Sequence, residues 1–126
     1  MLAVDTNVLV RLAVLDNQRQ VATAKQFIET GAWVSHLVLA ESVWVLESYY
    51  SFSREQVFRF VETAALHPNL RVQDPDVVEA ALANFAGHKK LGFTDCLVLE
   101  IARKAGHTPL GTFDKGLGKL PGAKAL

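Results

Sequence analysis

Short apolar runs alternate with longer stretches of helical periodicity along most of the chain, and this alternation constrains the fold more than any other feature. The runs are Met1–Val4, Ala32–Ser35, Leu70–Val72 and Thr108–Phe113. A short apolar run without helical period reads as a buried strand, and strands separated by helices form a parallel sheet covered on both faces. The expected fold class is therefore α/β, a three-layer sandwich with a short, mainly parallel central sheet flanked by helices. The 126 residues read as a single domain, 1–126, long enough to bury roughly two-thirds of the unfolded surface.

The helices between these runs carry their own start and stop signals. Val8 to Val14 continues at helical spacing from Asp5-Thr6-Asn7, so the chain turns from strand to helix at Asp5. Val21, Ala24, Phe27 and Ile28 form a second stripe closed by Gly31, a C-terminal cap residue. Leu37 to Tyr50 is a strongly apolar helix. Ser53 and Gln56 have the form of a capping box, and the helix they open must stop near His67-Pro68. Asp74-Pro75 gives an N-cap with proline at the first helical position of a helix that Gly87 ends. After the loop His88–Phe93, Thr94 is expected to cap a helix from Asp95 to Ala105. The glycine-rich tail from Lys115 is expected to be mostly loop, with a short edge strand at Ala123–Leu126.

Half of the residues are hydrophobic and 21% are charged, which argues against disorder. Thirteen basic and thirteen acidic residues cancel, so nucleic acid would have to be held by local patches rather than a broad basic surface. The single Cys96 can make no intramolecular disulfide, as befits a reducing cytoplasm, and reads as core packing. Asp5 and Arg11 interrupt the apolar N-terminus, which has no basic leader, so no signal peptide is expected. No apolar stretch reaches membrane-spanning length, so a soluble, cytoplasmic protein without a membrane partner is expected. His36, His67, His88 and His107 lie at separate element ends, without the spacing of a zinc site.

Four acids stand out by position. Asp5 and Asp114 directly follow apolar strands, and Asp95 opens a helix; these are the loci that face the ligand crevice of a parallel sheet. Each has an ordinary explanation as well: Asp5 as a helix cap, Asp114 as a turn residue, Asp95 as a first-turn acid favoured by the helix dipole. Glu41 has Leu37, Val38, Trp44 and Val45 at the spacings that share its helical face. It is expected to project from a buried apolar stripe, where an unpaired charge costs several kcal/mol; the ordinary alternative is a buried salt bridge. Glu100, followed by Arg103 and Lys104, is expected on a solvated face. Carboxylates gathered together repel and raise one another's pKa values. A hard divalent cation removes that difficulty, and an oxygen-only Mg²⁺ site suits phosphoryl chemistry.

Val4-Asp5-Thr6-Asn7-Val8-Leu9, Glu41 in Ala40-Glu41-Ser42-Val43, Asp95 in Phe93-Thr94-Asp95-Cys96-Leu97, and Thr112-Phe113-Asp114 resemble the four acidic motifs of PIN-domain nucleases. Length and motif order are similar to VapC-type toxins of bacterial and archaeal toxin–antitoxin pairs. The resemblance covers nearly the whole chain, and its first and last motifs are the more specific. It implies a PIN-like fold in which Asp5, Glu41, Asp95 and Asp114 are the metal-binding and catalytic carboxylates. Thr6, Asn7 and Thr112 would be polar supports. It further implies Mg²⁺- or Mn²⁺-dependent cleavage of RNA, homodimerisation and inhibition by a small antitoxin protein. Many members carry a further acid just before the third motif; Leu91-Gly92-Phe93 supplies none.

Arg11 would either pair with an acid or bind RNA phosphate, and a solvated or structural arginine is the more ordinary reading. Lys89, Lys90, Lys115 and Lys119 flank the third and fourth acids and would either contact RNA phosphates or simply solvate their loops. Trp44, Tyr49, Tyr50, Phe52, Phe58 and Phe60 crowd two consecutive helices, either as core or as a dimer or antitoxin surface. Competing functions are an aspartyl phosphatase, which wants a second Asp where Asn7 stands, and a receiver-like Mg²⁺-binding regulatory module, which leaves Glu41 unexplained. An RNA-binding pseudo-nuclease is a further alternative.

Overall fold

The computed structural model describes all of the chain, Met1–Leu126. Its elements in order are β1 (Leu2–Ala3), α1 (Thr6–Ala13), α2 (Gln18–Phe27), β2 (Ala32–Val34), α3 (His36–Tyr50), α4 (Arg54–Leu66), β3 (Leu70–Val72), α5 (Pro75–Gly87), α6 (Phe93–Ala105), β4 (Leu110–Thr112) and β5 (Ala123–Ala125). A 3-10 turn occupies Leu117–Lys119, within the tail expected to be mostly loop. Every strand pairing is parallel, in the order β1-β2-β3 in one sheet and β4-β5 in another. The α/β class with a short parallel sheet and six helices thus matches the alternation in the sequence.

The chain divides into two compact units, Met1–Pro75 and Asp76–Leu126. In the first, Ala32 pairs with both Leu2 and Leu70, so β2 is the central strand. Ala32 and Val34 are fully buried, as are Leu39 and Leu46 of α3 and Val57 and Val61 of α4. These side chains recur at the helical and strand periods that turn one face inward. In the second unit, Val78, Ala81 and Phe85 of α5 and Phe93, Cys96, Leu97 and Leu99 of α6 are buried, with the Phe85 and Phe93 rings edge to face at 6.1 Å.

Caps set most helix starts. The Asn17 side chain accepts from Gln20 N at 3.0 Å, and Ser35 Oγ accepts from Val38 N at 3.1 Å. Ser53 and Gln56 satisfy each other's backbone N–H groups in a complete capping box, a feature stabilising by about 1 kcal/mol. Thr94 is not the cap of α6: Gly92 holds that position without a side-chain hydrogen bond, and the helix begins at Phe93. Burial of Phe93 draws the first turn two residues further back than cap preference alone indicates.

Glycines are required at two places in the second unit. A Cβ on Gly118 would lie 2.6 Å from Ala125 Cβ and 2.9 Å from its backbone, so the 3-10 turn packs directly on β5. Gly122 has φ +87°, and a Cβ there would lie 2.8 Å from Arg103 Nη1. No helix is long and apolar enough to cross a membrane.

Candidate metal centre

Asp5 caps α1: its Oδ1 accepts from Val8 N at 3.1 Å, and its backbone carbonyl accepts from Leu9 N at 3.2 Å. The same residue stands just past the end of β1, so the ordinary role and the functional position coincide. One carboxylate oxygen is committed to the helix; no cation pairs with the other. Thr6 and Asn7 form the first turn of α1, Thr6 half-buried and Asn7 exposed.

Asp114 repeats this arrangement beyond β4. Its Oδ1 accepts from Leu117 N at 2.9 Å, its carbonyl accepts from Gly118 N at 2.9 Å, and its own N–H donates to Thr112 Oγ1 at 3.0 Å. Thr112 therefore fixes the backbone that carries the acid. Asp95 lies in the first turn of α6, half-buried, with Gly92 leaving space beside it: a Cβ there would be 3.5 Å from Asp95 Oδ2. Asp95 and Asp114 belong to the second unit, Asp5 and Glu41 to the first. Within either unit, no three His, Cys, Asp or Glu side chains form a group that could hold a metal ion.

Glu41 requires a correction. It does not project from a buried stripe; it is exposed, as are Leu37 four residues before it (69%) and Trp44 three after it (59%). The buried face of α3 is instead His36, Leu39, Ser42, Val43 and Leu46. Because α3 is apolar around most of its circumference, the spacing of apolar residues does not mark which side packs. Neither does Glu41 form a salt bridge, so the ordinary alternative is also absent.

Glu100 requires the opposite correction. It is buried (7% exposed), not solvated. Arg103 Nε donates to both of its oxygens at 3.2 Å, and Asn84 Nδ2 donates at 3.4 Å. Arg103 also donates to the Pro121 carbonyl, so one ion pair ties α5, α6 and the chain entering β5 together. The nearby arginine that suggested solvent exposure is what permits burial.

The aromatic cluster is likewise not a common core. Phe60 is buried, but Trp44 and Tyr49 are exposed and pack on each other edge to face at 5.8 Å. Cys96 is fully buried, as expected.

Arg11 is engaged within its own unit. Its guanidinium pairs with Asp16 through Nη1 and donates to Tyr50 Oη through Nη2 at 2.9 Å. Lys89, Lys90, Lys115 and Lys119 are exposed and make no ion pair. Sequence reasoning did not single out Arg19, Gln20 and Phe27 as candidate site residues. Together with Asp5, Asn7 and Arg11 they line a cleft of about 770 Å³ at the end of β1, between α1 and α2. The only signal for Arg19 and Phe27 was that they share one face of α2 with Thr23, at four-residue intervals.

The family model of the PIN domain matches residues 2–123. No curated protein and no solved structure matches the chain. PIN domains are generally metal-dependent nucleases, hydrolases of nucleic acid that typically use divalent cations such as Mg²⁺. The match takes in both compact units and every one of the four acidic segments, and by it the chain belongs to the PIN domain family.

Proposed function

We propose that this chain is a Mg²⁺-dependent endoribonuclease, with Mn²⁺ as an alternative cofactor, and that it is the toxin of a type II toxin–antitoxin pair. In this reading it is one functional domain that works in the cytoplasm as a homodimer and is restrained by a small antitoxin protein. The observation that carries the catalytic part is the state of the four acids at the family's motif positions. Asp5, Glu41, Asp95 and Asp114 have no cationic side chain paired with them, whereas Asp16, Asp76 and Glu100 do.

That donor set fits a hard divalent cation, which prefers oxygen ligands. In this reading Asp5 offers the oxygen not engaged by Val8 and Asp114 the one not engaged by Leu117, and Glu41 and Asp95 are the other metal-binding acids. When bound, such a cation supplies neutralisation of phosphate charge and an acidified water. The remaining work belongs to the protein. The backbone N–H groups of Val8 and Leu117 fix the orientation of two carboxylates before substrate arrives, and Thr112 holds the Asp114 backbone. Thr6 and Asn7 support the first acid. Lys89, Lys90 and Lys115 are exposed and unpaired, suited to hold RNA phosphates without reading sequence. Arg11 would contact phosphate only through donors not used by Asp16 and Tyr50. Hydrolysis in line at phosphorus would leave a 5′-phosphate and a 3′-hydroxyl.

The test is incubation of purified protein with structured RNAs, with and without Mg²⁺ or Mn²⁺, beside Asp5→Asn. Cleavage that needs the metal and disappears in the variant is expected. Metal-independent cleavage, or full activity in Asp5→Asn, would remove this mechanism. Expression of the wild-type chain is expected to arrest host growth while Asp5→Asn does not; harmless wild-type expression would leave a nuclease but remove the toxin assignment.

A further inference from the structure

We infer that the cleft between α1 and α2 is a subsite for one nucleotide of the substrate RNA strand, with Arg19 on its phosphate and Phe27 against its base. This rests on the ribonuclease reading, since the cleft is placed by Asp5. About 770 Å³ is ample for a nucleotide and within the range of built small-ligand sites. Its borders are chemically divided in the way a nucleotide requires. Asp5 lies at one border, where a strand must pass if its backbone is to be cut there.

On α2, Arg19, Thr23 and Phe27 follow at four-residue intervals and so share one helical face. Arg19 is exposed and has no acidic partner, unlike Arg11 across the cleft, whose charge is taken by Asp16. A guanidinium left unpaired beside a single carboxylate suits a polyanion better than an acidic or neutral ligand. Phe27 is 43% exposed, an aromatic face open for stacking, which binds any base because every base has a π-face. Asn7 and Gln20 line the same cleft with amides, which both donate and accept hydrogen bonds and can read base edges.

The experiment titrates the full-length chain, with EDTA present to prevent cleavage, into a fluorescein-labelled ten-nucleotide single-stranded RNA of mixed sequence, read by anisotropy at several salt concentrations. Arg19→Ala is expected to weaken binding about tenfold and to reduce the slope of log K against log salt by about 0.7. Phe27→Ala is expected to weaken it by a similar factor without changing that slope, and Phe27→Trp to restore it. Lys124→Ala, on β5, serves as the control and is expected to bind as wild type. Circular dichroism melts confirm that the variants fold; Arg19 is exposed and Phe27 partly so, which makes both tolerant sites. No binding by wild type, or binding by both variants equal to wild type, overturns the subsite; in the second case the cleft is left for a protein partner. If wild type cleaves RNA in Mg²⁺ but the variants bind normally, the subsite falls and the nuclease stands. If the variants lose binding as expected while wild type cleaves no RNA, the nuclease falls and the subsite stands.

Discussion

Two glutamates, one in each compact unit, stand in helices with buried apolar faces and have opposite surroundings. Glu100 of α6 is buried, and Arg103 and Asn84 both donate to it. Glu41 of α3 is exposed between Leu37 and Trp44, with no cation paired to it. The first acid has its charge compensated inside the protein and joins three segments. The second is exposed and makes no ion pair, so its charge is left to solvent. The two acids differ both in burial and in partners, and only Glu100 is committed to the fold.

Glutamine at each position tests that separation most strongly. Glu41→Gln is expected to reduce RNA cleavage about a hundredfold or more, the scale on which catalytic side chains act, with an unchanged urea midpoint. Glu100→Gln is expected to do the reverse, lowering stability by about 1–3 kcal/mol through the lost charge-assisted hydrogen bonds while cleavage at low temperature persists. Equal losses of stability in both variants would collapse the contrast.

A smaller effect probes what Glu100 organises. Gly122→Ala places a side chain at φ +87° and against the Arg103 guanidinium, and is expected to cost about 1–2 kcal/mol in a thermal melt. Because Arg103 is the atom group displaced, this loss is expected to be non-additive with Arg103→Ala in a double-mutant cycle. Strict additivity would show that the strand entry and the buried acid are independent.

The smallest effect comes from an exposed pair in the same unit. Lys104 Nζ lies 2.8 Å from Asp76 Oδ2, and its hydrogen bond, more than its charge at a distance, holds Asp76 below the usual carboxylate value of 3.8. A depressed folded-state pKa contributes stability that is present above the unfolded value and lost as pH falls below about 3.8 toward the folded one. Both groups are exposed, so the contribution is slight. Lys104→Met is expected to return the Asp76 carboxyl resonance toward a midpoint of 3.8 in an NMR titration; an unmoved midpoint would mean the pair is not made in solution.

Much of this was legible in the sequence where a local rule decides the outcome. The Leu70–Val72 strand, the Ser53 capping box and the start of α1 at Asp5 depend on a few adjacent residues and appear where those residues place them. The positions of Asp5 and Asp114 beyond strand ends were legible for the same reason. What was not legible depends on which side of a helix the rest of the chain covers. Leu37, Trp44 and Val45 give α3 apolar character on several sides, so their spacing around Glu41 could not choose between core and solvent. Arg103 at i+3 from Glu100 is compatible with a surface pair or with a neutralised buried acid, and only packing against α5 and Pro121 selects the second. Gly92 in place of Thr94 as the cap of α6 follows from the same cause, since burying Phe93 outweighs a favourable hydroxyl cap.

The junction of Arg11, Asp16 and Tyr50 has a consequence for how the α1–α2 cleft behaves. It joins the last turn of α1 to the final residue of α3 through a guanidinium, a phenol and a carboxylate that is about half exposed, beside the apolar packing of the two helices. Ion pairs of this kind weaken as mobile ions screen them, over a Debye length of roughly 10 Å at 0.1 M salt, whereas apolar packing does not. The end of α1 is thus fastened electrostatically in addition to the buried Leu9 and Val10 beneath it, and only the electrostatic part loosens as ionic strength rises.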